Sequence, residues 1–216
     1  MKALIFGASG LVGSELLKFV LNDPFFSHVT ITVRKKLPLT NPKLTQILTT
    51  FENLEENKNK LIGEVLFSCL GSTKAKTPNY KDYYKIDHDY PLVGSQLAIQ
   101  NGTKYMHLVS AIGANSSSSN TYIKMKGEVE NDVSRLPFKG IHIYRPSLIT
   151  GSRDESRPLE KIGTAIFSLI NPLLRGSLKK YQSISAKEIA KAMLSQAKKN
   201  IAGVHIYPSN IIKELA

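Results

Sequence analysis

Tyr122 and Lys126 stand four residues apart, a spacing that a helix turns into a shared face. An ammonium beside a phenol favours the phenolate and lowers its pKa. The pair is therefore expected to exchange a proton with a substrate oxygen. Ser110 closes the apolar run Tyr105 to Ser110 and could hydrogen-bond the same oxygen. Taken alone, Tyr-x-x-x-Lys is common by chance. Its meaning depends on what precedes it.

A strand, a glycine-rich turn and a helix precede it. Lys2-Ala3-Leu4-Ile5-Phe6 is an apolar run of strand length, and Leu16, Leu17, Val20 and Leu21 share one helical face. Between them lies Gly7-Ala8-Ser9-Gly10-Leu11-Val12-Gly13. Gly7 permits a tight turn, Gly10 lets a diphosphate approach the backbone, and Gly13 lets the helix pack against the strand. The free N–H groups at the helix start then meet the anion. This predicts a dinucleotide site with Gly7, Ser9, Gly10, Leu11, Val12 and Gly13 as contacts. With a nicotinamide dinucleotide in place, Lys126 can hold its ribose while Tyr122 moves the proton that accompanies a hydride.

The elements that must position these groups follow in order. Val29 to Val33 reads as a second strand ending at Arg34 and Lys35. An acidic residue there would suit the ribose 2′-hydroxyl of NAD; a guanidinium can instead grip a 2′-phosphate, so NADP(H) is preferred to NAD(H). Leu44 to Thr50 is a third strand. Phe51 after it either lies near the adenine or packs in the core. Glu64 to Gly71 is a fourth strand, whose end makes Gly71 and Ser72 cofactor-contact candidates. Cys69 within it reads as a small buried residue. Tyr80 to Ala98 has a helical repeat that Pro91 kinks or restarts, and Asn101-Gly102 stops it. His88, with no recognisable partner, reads as polar surface. Tyr105 to Ser110 is a fifth strand. A Gly/Asn/Ser loop follows it, then a helix from Thr121 capped by Asn120 or Ser119. Gly140 to Tyr144 is a sixth strand. Gly151 to Pro158 is a polar loop, Leu159 to Leu174 is mostly helical, Ala186 to Lys199 is an amphipathic helix, and Gly203 to Tyr207 is a last strand. Strands alternating with helices predict an α/β fold: a doubly wound parallel sheet in a single domain.

Composition narrows the function classes. The chain has 216 residues, 42% of them hydrophobic, which suits one folded domain. One cysteine excludes a disulfide framework within the chain. The formal charge of +12 favours anionic partners such as nucleotide phosphates. The basic residues are scattered, without a basic arm or zinc-finger spacing, which argues against nucleic acid as the main partner. No metal-ligand spacing stands out. The apolar run Ile162 to Leu174 is interrupted by Asn171-Pro172 and is too short to span a bilayer. With no signal pattern at the N-terminus, a cytoplasmic protein is expected.

The order of glycine turn, serine at a strand end and Tyr–Lys pair resembles the short-chain dehydrogenase/reductase superfamily. More narrowly it is similar to the atypical branch related to the HIV Tat-interactive protein. The closer match rests on the glycine turn, Cys69-Leu70-Gly71-Ser72-Thr73, Lys126-Gly127-Glu128-Val129-Glu130, Tyr144-Arg145-Pro146-Ser147 and Arg153-Asp154-Glu155-Ser156-Arg157-Pro158. The resemblance implies a Rossmann fold binding NADP(H). It carries Ser110, Tyr122 and Lys126 onto catalytic positions, Leu70, Gly71 and Ser72 onto the cofactor side, and Arg145, Pro146, Ser147 and Leu148 onto the segment beside the nicotinamide. One departure is Ala111, where the family often has a second serine. The expected activity is an NADP-dependent oxidoreduction of a small carbonyl or alcohol, with a substrate-side segment from about residue 146 onward. The alternatives are an NADPH-binding redox-sensing regulator and a sugar-nucleotide epimerase-like enzyme. A homo-oligomer or a protein partner is left open.

Overall fold

The computed structural model describes residues 1–151, 174 and 176–216. The polar loop expected over 151–158 and the helix expected over 159–174 fall outside these residues, save for Gly151 and Leu174.

The chain opens with β1 (Lys2–Phe6), α1 (Leu11–Asn22), β2 (His28–Val33) and β3 (Leu44–Leu48). After a 3-10 turn at Glu55–Lys60 come β4 (Val65–Ser68), α2 (Tyr80–Tyr84), a π turn at Lys85–Asp89, α3 (Tyr90–Gln100) and β5 (Tyr105–Val109). Then follow α4 (Thr121–Ser134), β6 (Gly140–Arg145), β7 (Ile149–Thr150), β8 (Ile184–Ser185), α5 (Ala186–Ala197), β9 (Gly203–Pro208) and α6 (Ser209–Glu214). The main sheet has seven strands in the order β3-β2-β1-β4-β5-β6-β9, each pairing parallel with its neighbours. β7 and β8 form a separate parallel pair. The expected Rossmann architecture is observed.

The direction of winding reverses between β1 and β4, so their C-terminal ends open a crevice there. Apolar residues cover both faces of the sheet, as a parallel sheet requires. Ala3, Ile5, Val29, Ile31 and Phe67 pack with α1 and α5, while Leu4, Phe6, Leu66, Met106 and Ile143 pack toward α3 and α4. The helices are fixed by local chemistry. The Asn120 side chain accepts from the N–H groups of Tyr122 and Ile123, which starts α4. A Ser185–Glu188 capping box starts α5.

Strands expected to run to Thr50, Gly71 and Ser110 end earlier, at Leu48, Ser68 and Val109, because the chain leaves the ladder to build the crevice loops. Val93, within the helical repeat of α3, is exposed. Gly94 faces inward instead: a Cβ on it would lie 2.4 Å from the Phe6 ring. His88 is another correction. It is buried, its two ring nitrogens lie 2.8 Å from Asp89 and 3.1 Å from Asp132, and it stacks on Tyr84. One partner is its neighbour Asp89; the other, Asp132, comes from α4.

Candidate active site

The crevice is walled on one side by backbone. Gly7 has φ +77°, and a Cβ on it would lie 2.6 Å from the Cys69 carbonyl. Gly13 brings α1 against the turn so closely that a Cβ would sit 2.1 Å from the Gly7 carbonyl. Gly10 N–H closes the turn on Gly7 O at 2.9 Å, and Gly10 caps α1 without a side-chain acceptor. No acidic residue occupies the first turn of α1, so the orphan N–H groups of Leu11, Val12 and Gly13 are left for an anion. The Val12 side chain itself is in the core; only its backbone can serve. These residues fit a diphosphate. Where this turn meets the end of β2, a cavity of about 320 Å³ is lined by Ser9, Arg34, Lys35, Lys36, Leu37 and Pro38. A larger cavity, about 480 Å³, lies at the opposite ends of the strands between Lys2, His28 and Lys60, away from these groups. Phe51 packs against Phe6 and Tyr90 rather than lining the crevice.

The other wall is built of side chains on α4. Tyr122, Lys126 and Glu130 recur every four residues and form one stripe. Lys126 Nζ lies 2.7 Å from Asp87 Oδ1, and the two side chains are only 5% and 1% exposed. The other Asp87 oxygen accepts the Ser72 N–H at 2.7 Å. A Cβ on Gly71 would be 3.4 Å from that carboxylate and 3.9 Å from the ammonium. The lysine therefore ends directly beneath the turn after β4, across the crevice from the glycine turn. Ser72 has its N–H on Asp87 and its hydroxyl on Thr77, 2.6 Å away. Leu70 is half-buried at the edge of the core.

One turn further along α4, Glu130 is buried. Arg145 grips it through Nε at 3.0 and 3.1 Å and through Nη2 at 2.5 Å. Ser110 donates its hydroxyl hydrogen to the same carboxylate. Beyond Arg145, Pro146 accepts from the Ile112 N–H at 2.9 Å, Ser147 bonds Gln182 and Ser209, and Leu148 is exposed.

Tyr122 is half-buried and stacks on Tyr83 with ring centroids 6.2 Å apart. Lys126 was expected to draw its phenol down. Instead burial, and secondarily the Asp87 carboxylate, push it up to about 12. The Lys126 ammonium is spent on Asp87. Desolvation likewise raises the Cys69 thiol to about 12, which disfavours its thiolate. Asp87 and Glu130 are thus central to the cluster, although the sequence reading gave neither a role. The repeat Tyr122–Lys126–Glu130 was a usable signal for Glu130. Asp87 had none, because its burial depends on a π turn.

No family model matches the chain. Rat protein HTATIP2 is 38% identical over 167 residues, which is 76% of this chain and 69% of that protein. The mitochondrial protein FMP52 of Candida albicans is 32% identical over 212 residues, 94% of this chain and 90% of its own length. This chain belongs to the HTATIP2/FMP52 family. Its fold is that of NAD-binding short-chain dehydrogenase and epimerase proteins. Among solved structures, the UDP-glucuronic acid 4-epimerase from Bacillus cereus in complex with NAD superposes with a TM-score of 0.69 at 14% identity, covering 96% of this chain and 77% of the epimerase. The expected cytoplasmic location does not stand, because FMP52 relatives at this level of identity are named mitochondrial. A missing secretory pattern selects no compartment. Among the described residues no helix is long and apolar enough to cross a membrane.

Proposed function

We propose that this protein is an NADP(H)-dependent oxidoreductase of the short-chain dehydrogenase type acting on a small carbonyl or alcohol. A nicotinamide nucleotide, when bound, supplies hydride chemistry at the substrate carbon. The observation that carries the reading is the position of Lys126 Nζ beneath Gly71, opposite the glycine turn. It joins a cradle suited to a diphosphate with a phenol suited to proton transfer. The backbone of Gly7, Ser9, Gly10, Leu11, Val12 and Gly13 would hold the diphosphate, and Lys126 the nicotinamide ribose. Tyr122 Oη would exchange the proton with the substrate oxygen. Residues from about 146 onward would face the substrate. Arg34 and Lys35 at the rim of the Ser9 cavity support a 2′-phosphate over a bare ribose hydroxyl. Titration with NADPH and NADH, followed by nicotinamide fluorescence, tests this. Arg34→Ala should weaken NADPH about tenfold or more, the loss of one charge-assisted phosphate contact, and leave NADH unchanged. Equal affinities in the parent protein, or no binding of either nucleotide, would refute it.

One observation favours a second reading, a nucleotide-sensing regulator with little turnover. Ser110 donates to Glu130, and position 111 is alanine, so neither offers a hydroxyl hydrogen to a substrate oxygen. Tight NADPH binding with no hydride transfer across a panel of carbonyls and alcohols would select it.

A further inference from the structure

On the sheet face covered by α5, strands β5, β6 and β9 present rings where aliphatic side chains would be ordinary. His107, His142 and His205 stand opposite one another in the parallel register, and Tyr144 stands opposite Tyr207. The imidazoles stack. His107 and His142 have centroids 4.5 Å apart with planes 6° apart, and His142 and His205 follow at 5.1 Å and 20°. Phe67 of β4 closes the inner end of the row, 5.0 Å from His107. The row thus runs from the middle of the sheet to its edge, where β9 pairs with β6 alone.

The row is built for neutral rings. His142 Nε2 lies 3.3 Å from the Ile201 carbonyl, which only accepts, so in the neutral ring Nε2 carries the hydrogen and Nδ1 accepts from the Tyr207 hydroxyl at 2.9 Å. His107 Nδ1 pairs with Tyr144 Oη at 3.0 Å, and its Nε2 has no partner among the described residues. Among those residues no carboxylate contacts the row. The ionisable groups beside it are Tyr144, Tyr207 and, next to Tyr144, Cys69. α5 and the turn after it keep Lys187, Lys191, Lys198 and Lys199 exposed, spend Glu188 on the capping box, and bury the Gln196 amide. On α6, Lys213 bonds Gln182 and Glu214 is exposed. A proton taken up in the row would therefore be a buried cation without an anion. Burial, and then His205, holds His142 down at about 4; burial, and then His142, holds His107 well below the ordinary imidazole range.

β9 depends on this row. On its other face Val204 and Ile206 stay 49% and 47% exposed. Beyond its ladder with β6, the strand is packed through His205 on His142 and through Tyr207 on His142 and Tyr144. It leads into α6, whose Ser209 hydroxyl lies 3.0 Å from that of Ser147. We propose that the imidazole row is a proton-operated latch: acid releases β9 from β6 while the centre of the sheet stays folded, and Ser147 loses its Ser209 support with it. The latch does not rest on the oxidoreductase reading.

Burial sets the direction. In released β9, His142 meets water and takes a proton below about 6.5; in the packed sheet it stays neutral down to about 4. Between those values each pH unit of acidification favours the released strand about tenfold.

The test is amide hydrogen exchange of the full chain at pH 6.5 and pH 4.5, read residue by residue by NMR and corrected for the intrinsic pH dependence of exchange. Protection of the β9 amides bonded to β6 should fall about a hundredfold further than that of Ile5 and Phe67 in the centre of the sheet. A β9 that falls only in step with Ile5 and Phe67, or not at all, overturns the proposal. In His142→Gln, which keeps a donor and an acceptor but cannot ionise, this extra fall should disappear. An extra fall as large as in the parent overturns the proposal too. The parent measurement decides whether or not that variant folds.

Discussion

The two walls of the crevice are made of different material. The wall formed by the β1–α1 turn is main chain: carbonyls, N–H groups and the absence of Cβ atoms at Gly7 and Gly13. The wall formed by α4 is side chain: a stripe of Tyr122, Lys126 and Glu130, each cation or anion met by an opposite charge from another element. Main chain cannot change its charge, so the first wall suits a part of a ligand that is always anionic. Paired side chains can be tuned, so the second wall is where proton chemistry can be set. The side-chain wall is also graded. Asp87–Lys126 is almost fully enclosed, whereas Arg145, the partner of Glu130, keeps 29% of its side chain in solvent.

Breaking the enclosed pair should cost most. Asp87→Ala leaves a buried ammonium without a partner, and chemical denaturation should show a loss of about 3–5 kcal/mol. Replacing both partners together, Asp87→Leu with Lys126→Met, should restore much of that loss. If the double variant is no more stable than the single one, the cost lies in packing and not in charge. On the main-chain wall, Gly13→Ala should cost about 1–3 kcal/mol, because the new methyl meets the Gly7 carbonyl and backbone must shift. Nucleotide affinity should fall with it. The grading within the second wall predicts the smallest effect. Glu130→Ala frees an arginine that already reaches water, so about 1–2 kcal/mol should be lost, less than for Asp87→Ala. Equal losses for the two variants would erase the distinction between the enclosed and the open pair.

The difference between the walls also explains what could be read from the chain. The glycine turn was legible because its function lies in backbone freedom, and glycine at those positions announces that directly. The strands were legible from apolar runs, and the shared face of Tyr122 and Lys126 from their spacing. The destination of the Lys126 ammonium was not legible. Asp87 sits among Lys85, His88 and Asp89, a run that reads as a solvated helix face, and only the π turn buries it. Reading Lys126 without Asp87 missed that burial and the Asp87 carboxylate hold the Tyr122 phenol up. His88 failed in the same way, since its partner Asp132 lies 44 residues ahead on α4. Local pattern identifies which groups carry charge; tertiary pairing decides whether that charge is free to act.

The π turn has a consequence for how such a site changes over generations. An α-helix advances by about 100° per residue, so one residue gained or lost between Tyr84 and Asp89 swings everything upstream through that angle relative to α3. Such an event would carry Tyr83 off the ring of Tyr122 and turn the Asp87 position away from Lys126, with every side chain of the crevice still present. Insertions and deletions in this short span, more than point substitutions, are therefore the steps by which relatives of this chain would gain or lose the Asp87–Lys126 pair.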